Sequence, residues 1–150
     1  DERSFDQDPR FGLAVMSEIG SRALSPAIND PGTAIDVIGR TTRLLSLWAR
    51  GPGEVDERPE PPYPRVHVPP LQAKDLFEDG FMVMARDGAG LIEVNLRIQK
   101  ALLALAQMGD EAFKAAARTQ SALAFDRAEI TMTLEADKER LRRLLSSQRD

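Results

Sequence analysis

A polar, proline-punctuated segment between two apolar helical patterns carries the residue types with which this chain could do chemistry. Asn29, Asp30 and Thr33 stand where a helix is predicted to begin, and the unpaired N–H groups and dipole of a helix N-terminus favour an anion. Arg22, near the end of the preceding helix, can reach the same region if the chain folds back, and Ser25 adds a hydroxyl. These five side chains form a candidate pocket for a phosphate or a carboxylate.

The same residue types also have an ordinary structural use. Asn, Asp and Ser are common helix caps and turn formers, and Asp30 already places a carboxylate where an anion would bind. In this interpretation, which is preferred, Arg22 holds helix carbonyls or pairs with Asp30. The sequence leaves open whether Asn29 or Asp30 is the cap, and the other residue is then free for a different role.

A second candidate site is acidic. Asp6, Asp8 and Asp30, with Asp36, would come together if the starts of the first two helices meet, and carboxylate oxygens are ligands for Mg²⁺ or Ca²⁺. Their spacing matches no known metal-binding loop. Asp6 and Asp8 are better explained as residues at a helix start, and Asp36 as the ion-pair partner of Arg40, four residues further on. We therefore expect no cofactor.

Other catalytic arrangements are missing from the sequence. His67 is the only histidine, and no Ser, Asp or Glu partner is indicated by spacing, which excludes a catalytic triad and a histidine-rich zinc site. The absence of cysteine excludes disulfides and thiol catalysis. The turn at residues 87–90 lacks the lysine that follows a phosphate-binding loop. An enzyme is therefore the less favoured class.

The bulk composition is that of an ordinary globular domain. A chain of 150 residues can bury one core, and 42% hydrophobic with 29% charged residues is a typical balance. A net charge of -4 argues against a nucleic-acid binder, which needs a basic face. Aromatic residues make up only 5%, which disfavours a β-sandwich. No apolar run reaches the roughly 20 residues that span a bilayer.

Six periodic apolar patterns predict an all-α, bundle-like domain. Pro9 and Pro31 suit first helical positions, so the first helix is predicted to begin after Asp8 and the second near Pro31. Gly51, followed by a proline, ends the second helix. The remaining four helices are predicted over residues 71–87, 91–108, 110–131 and 134–147.

Packing and connections give three further expectations. Gly12 and Gly20 each cost the first helix about 1 kcal/mol in propensity, which predicts the close approach of a neighbouring helix. Thr133 is the expected cap of the last helix, with Leu134 facing inward. Residues 51–70 hold seven of the ten prolines, which predicts an extended connection between the second and third helices. The alternation at 65–68 can form one short strand.

The last predicted helix offers a basic face. On a protein tied to a membrane, such a face could meet anionic headgroups. Acidic neighbours at positions 135, 137 and 139 dilute its charge, so a solvated face is preferred. The basic residues are Lys138, Arg140, Arg142 and Arg143.

The start of the chain resembles a known family. The stretch Phe5-Asp6-Gln7-Asp8-Pro9-Arg10-Phe11-Gly12-Leu13 and the later core Ser25-Pro26-Ala27-Ile28-Asn29-Asp30-Pro31 are similar to the signature of domain of unknown function 2254, a family of uncharacterised bacterial predicted membrane proteins. The resemblance is close over residues 3–48, and from residue 71 onward only the helical pattern agrees. It implies a membrane half with several transmembrane helices before a soluble C-terminal region, and no catalytic residues.

These observations predict a single soluble helical domain over residues 1–150, a fragment of a longer membrane protein, on the cytoplasmic side. Its favoured function is assembly, regulation or ligand sensing. The expected partners are its own membrane-spanning half and copies of itself, through exposed apolar positions on the last three helices, and no nucleic acid. The alternative is a membrane-associated enzyme with its site in the polar segment between the first two helices.

Overall fold

A computed structural model describes residues 8–51, 65 and 69–147. In these ranges the chain forms six α-helices and no strand, which confirms the predicted all-α class. The predicted helix bounds differ from the observed ones by a few residues at most. The strand predicted over 65–68 falls, apart from Arg65, outside the described residues. The helices are α1 (Pro9–Ala23), α2 (Pro31–Ala49), α3 (Ala73–Asp87), α4 (Ile92–Leu105), α5 (Glu111–Thr131) and α6 (Glu135–Ser146).

The core forms around α3, which packs between α1 and α5. The predicted stripe of Leu76, Phe77, Phe81 and Met84 is fully buried. The ring of Phe77 lies 6.1 Å from that of Phe81 and meets Phe113 of α5 edge-on at 4.8 Å, both measured between centroids. Because burying one such side chain contributes about 1.5–3 kcal/mol, α3 is the helix against which α1 and α5 are positioned.

Two glycines bring α1 and α2 close to α3. A Cβ added at Gly20 of α1 would collide with the sulfur of Met84. One added at Gly80 of α3 would lie 2.8 Å from Cγ2 of Thr41 in α2. The prediction that Gly20 marks a close helix contact is therefore confirmed.

Polar contacts near both ends of α1 hold it along α3. Near its start, Nε of Arg10 lies 2.6 Å from Oδ2 of Asp79, and Nη1 lies 3.1 Å from Oδ2 of Asp75. Near its end, the Ser21 hydroxyl donates to Asp87. The Arg10 contacts are partly exposed, so each adds little stability. Together with the Ser21 bond they fix the direction of α1 on α3.

A reciprocal pair of buried hydrogen bonds joins α4 to α5. The hydroxyl of Ser121 donates to Oε1 of Gln99 at 2.5 Å, and Nε2 of Gln99 donates to the carbonyl of Ser121 at 2.9 Å. Both residues are buried. Because an unpaired buried amide is unfavourable, the pair favours one register of α4 against α5.

The start of α6 differs from the prediction. Leu134, not Thr133, occupies the cap position, makes no capping hydrogen bond and is 59% exposed. Met132 takes the inward position instead and packs with Ala128 and Leu141. Its extended backbone, with φ -66° and ψ 136°, ends α5 three residues before α6 begins. The predictions for Thr133 and Leu134 are therefore wrong.

We expect Gly20→Ala to lower the free energy of unfolding by about 1–3 kcal/mol, because the new methyl group must displace buried Met84, and overpacking outweighs the gain in helix propensity. Gly90→Ala is the matched control, since its Cβ would meet the nearest side-chain atom at an ordinary 3.6 Å. Urea unfolding followed by circular dichroism measures both. Equal stabilities would contradict the close packing of α1 on α3.

Candidate functional site

Backbone hydrogen bonds hold the predicted polar segment between α1 and α2. The carbonyl of Ser25 accepts from the N–H groups of Ile28 and Asn29 at 3.0 and 2.8 Å, and the N–H of Asp30 donates to the carbonyl of Ala23 at 2.8 Å. Asn29 has a φ of +49°, in the left-handed region that Asn enters more readily than most residues. The segment is therefore a defined turn that sets α2 relative to α1.

Asp30, rather than Asn29, caps α2. Its Oδ1 accepts from the N–H of Thr33 at 3.1 Å, and its Oδ2 accepts from the Thr33 hydroxyl at 2.5 Å. These bonds, chiefly the one from the Thr33 hydroxyl, hold the pKa of Asp30 below its usual value. The carboxylate thus occupies the position at the helix start that was predicted to receive an anion.

The other residues of the predicted pocket lie along the exposed outer side of the turn. Arg22 and Asn29 are exposed, and within the described ranges neither side chain makes a hydrogen bond or an ion pair. Ser25 is half-buried and contributes its carbonyl to the turn. Asp30 and Thr33 bind each other. The pocket of these five residues stays a prediction, with Arg22 and Asn29 as the members whose side chains are uncommitted.

The acidic candidates serve other contacts. Asp8 caps α1 by accepting from the N–H of Phe11 at 3.1 Å, and Asp36 pairs with Arg40 at 2.7 Å. Asp6 and His67 lie outside the described residues. Among the residues that the structure does describe, no three His, Cys, Asp or Glu side chains are grouped to hold a metal ion. The metal-binding prediction for Asp6, Asp8 and Asp30 gains no support from this part of the chain.

A shallow cleft of about 870 Å³, which no sequence pattern predicted, lies on the outward face of α2. Its polar lining is Asp36, Arg40 and Arg43 of α2 together with Arg97 of α4. Nη2 of Arg97 lies 3.1 Å from the point that a Cβ on Gly39 would occupy. The missing side chain at position 39 therefore lets the guanidinium lie against α2.

The cleft carries an excess of positive charge. Asp36 neutralises Arg40. The hydrogen bond from Arg40 to Asp36 and the attraction between their charges raise the pKa of Arg40. Arg43 and Arg97 make no ion pair with any described residue. In a chain of net charge -4, two uncompensated guanidinium groups beside one cleft form a local basic site.

One residue of the basic face of α6, Arg142, is committed to its own protein. Arg142 binds Glu129 of α5 at 2.6 Å and Glu135 at 2.5 Å, with Glu139 at 3.7 Å. The hydrogen bonds to Glu129 and Glu135 raise the pKa of Arg142. Arg140 is exposed and forms no ion pair in the described ranges. The charge of Arg142 is therefore neutralised, whereas Arg43 and Arg97 of the α2 cleft stand together beside one cavity.

Comparison with known proteins gives one family. Residues 1–104 match the sequence profile of the family described as "Predicted membrane protein (DUF2254)". An uncharacterised protein of Mycobacterium bovis and two of Mycobacterium tuberculosis are each 52% identical to this chain over 48 residues, or 32% of it. The match covers 9% of the length of each of these relatives. No solved structure matches the chain.

The length and hydropathy of each helix decide whether it could cross a membrane. Within the described ranges, none of them combines the length and the apolar character needed to cross a bilayer.

We expect Asp30→Ala to lower the melting temperature at neutral pH, because the N–H of Thr33 loses its acceptor. The pKa of folded Asp30 lies below its usual value of 3.8. Its carboxylate therefore contributes stability that is present above that value and lost as the pH falls through the folded pKa. The melting temperatures of wild type and variant should converge in strong acid. Asp30→Asn, which keeps an acceptor, should lose less at neutral pH, and equal losses in the two variants would contradict the capping role.

Proposed function

We propose, starting from the fact that the chain belongs to the DUF2254 family of predicted membrane proteins, that it is a non-catalytic domain that senses an anionic ligand. The observation that carries this proposal is the cleft on the outward face of α2. There Arg43 and Arg97 stand without an ion-pair partner among the described residues. Sensing by this domain would then govern the assembly or regulation of the membrane protein to which it belongs.

The chemistry of the cleft favours a phosphate group. A guanidinium presents paired N–H donors in a planar fork, which suits two oxygens of a phosphate or a carboxylate. Arg43 and Arg97 together supply two positive charges, which a phosphate monoester or a pyrophosphate balances better than a single carboxylate. The carboxylate of Asp36, which would repel such a ligand, is already paired with Arg40.

The enzyme alternative has less support. It would use Arg22, Asn29 and Asp30 in the turn between α1 and α2. The carboxylate of Asp30 holds the start of α2 through both of its oxygens, so it is not free to act as a base or a nucleophile. Arg22 and Asn29 alone supply no group that transfers a proton near neutral pH.

The partners and the location of the domain are also part of the proposal. We place it on the cytoplasmic side, next to the membrane-spanning half of its own protein, because it is a charged helical domain without cysteine. Self-association would use exposed apolar residues of α5 and of the α6 start. The largest of these are Leu123, Ile130 and Leu134.

Titration calorimetry with pyrophosphate at low ionic strength tests the sensing proposal. We expect binding that weakens as salt is added, because the arginines are exposed and salt screens them. Arg43→Gln and Arg97→Gln should each weaken binding about tenfold, the equivalent of one hydrogen bond between charged groups.

Arg140→Gln on α6 is the matched control, because Arg140 is an exposed arginine without an ion pair in the described ranges. It should leave the affinity unchanged. Equal affinities of the wild type and the Arg43→Gln/Arg97→Gln double variant would overturn the proposal.

A further inference from the structure

An apolar edge runs along α2 beside the basic cleft. Leu44, Leu47 and Trp48 are 46%, 51% and 40% exposed. Their spacing of three and four residues makes them neighbours on one helix surface. Single exposed apolar residues are normal on soluble proteins, but three large ones on one turn form a patch, and such patches mark interaction sites.

The patch continues into an apolar groove. A groove of about 520 Å³ lies between α1, α2 and the start of α3, and Leu44 and Trp48 form one of its borders. Leu13, Met16 and Leu76 also line it. The apolar surface therefore extends beyond the three exposed side chains.

The ring of Trp48 has a fixed orientation. It stacks on Phe113 of α5 with 5.6 Å between the centroids and 23° between the planes. One part of the ring is thus covered by the core while 40% of the residue stays exposed. A surface that meets this side of the domain would find the indole already in place, so little side-chain entropy would be lost on contact.

Arginines border the patch. Arg43 precedes Leu44 and Arg50 follows Trp48 by two residues; both are exposed and form no ion pair with a described residue. Apolar and tryptophan side chains set beside arginines are typical of helices that lie in the headgroup region of a bilayer. There the apolar groups enter the boundary of the acyl chains and the cations meet lipid phosphates.

We propose that this face of α2 docks on a bilayer surface that contains anionic lipids. Leu44, Leu47 and Trp48 enter the interfacial region, while Arg43 and Arg97 bind lipid phosphates. The inference rests on the proposed function, because it identifies the sensed anion as a lipid headgroup.

Charge complementarity favours a bilayer over a second copy of the chain. In a two-fold dimer both copies use the same patch, which would bring the uncompensated charges of Arg43 and Arg97 from both copies into one interface. An anionic lipid surface offers the opposite charge to these arginines and an apolar boundary to the leucines. It is therefore the occupant that suits both parts of this face.

The single tryptophan of the chain provides the test. The protein is mixed with vesicles of phosphatidylcholine alone and of phosphatidylcholine with phosphatidylglycerol. We expect the emission of Trp48 to shift to shorter wavelength, and brominated lipid to quench it, only with the anionic vesicles. Leu44→Ser/Leu47→Ser should weaken vesicle binding about tenfold or more, because apolar area stays in water.

Ile19→Ser is the matched control, since Ile19 is 49% exposed on α1 and lines neither the cleft nor the groove. It should leave vesicle binding unchanged, and circular dichroism checks that every variant is folded. Pyrophosphate binding without any response of Trp48 to anionic vesicles would overturn the membrane inference and leave the proposed function standing. Absence of both kinds of binding would overturn both.

Two further outcomes would also overturn the membrane inference. Vesicle binding that survives Arg43→Gln/Arg97→Gln but is lost in Arg140→Gln/Arg143→Gln would assign the contact to α6. A shift of the Trp48 emission that depends on protein concentration and needs no lipid would assign the patch to a second copy.

Discussion

The close approach of α1 and α2 to α3 is the constraint on which the rest of the structure depends. Gly20 and Gly80 remove the two side chains that would otherwise separate these helices, and Met84 and Thr41 occupy the space. Because the interior is packed at close to crystalline density, this contact fixes α1, and α1 together with α4 then fixes where α2 lies. It therefore also determines which face of α2 is turned outward, and with it the position of Arg43 beside Arg97.

Local chemistry made much of the fold predictable. A proline at the first helical position after a capping aspartate marks the starts of α1 and α2, and a left-handed glycine at position 51 follows the end of α2. The choice between Asn29 and Asp30 as cap was not predictable, since both residue types cap helices equally well. The turn determines which residue is the cap. It needs a backbone in the left-handed region at Asn29, and it leaves the carboxylate of Asp30 next to Thr33.

The candidate site depends on contacts that sequence patterns do not contain. Helical periodicity places Leu44 and Trp48 at the margin of an apolar stripe, but only the neighbouring helices decide which margin is covered. The contact of Arg97 with Gly39 joins residues on different helices. The local sign of a basic site was the occurrence of two arginines, Arg40 and Arg43, three residues apart on α2. The prediction for the start of α6 was wrong for a related reason, since the inward position there was set by Met132 packing on Leu141.

The packing of α1 on α3 also affects how the length of the chain can change. These helices are separated in sequence by α2 and by the proline-rich stretch between Ala49 and Ala73, so their contact closes a long loop. The entropy of closure grows only with the logarithm of loop length, by about 0.6 kcal/mol for each doubling. Added residues between Gly51 and Pro70 would therefore change the entropy of closure little. Loop closure sets only a weak limit on the length of this stretch, whereas the contact of α1 on α3 tolerates no added side chain at Gly20 without a shift of Met84.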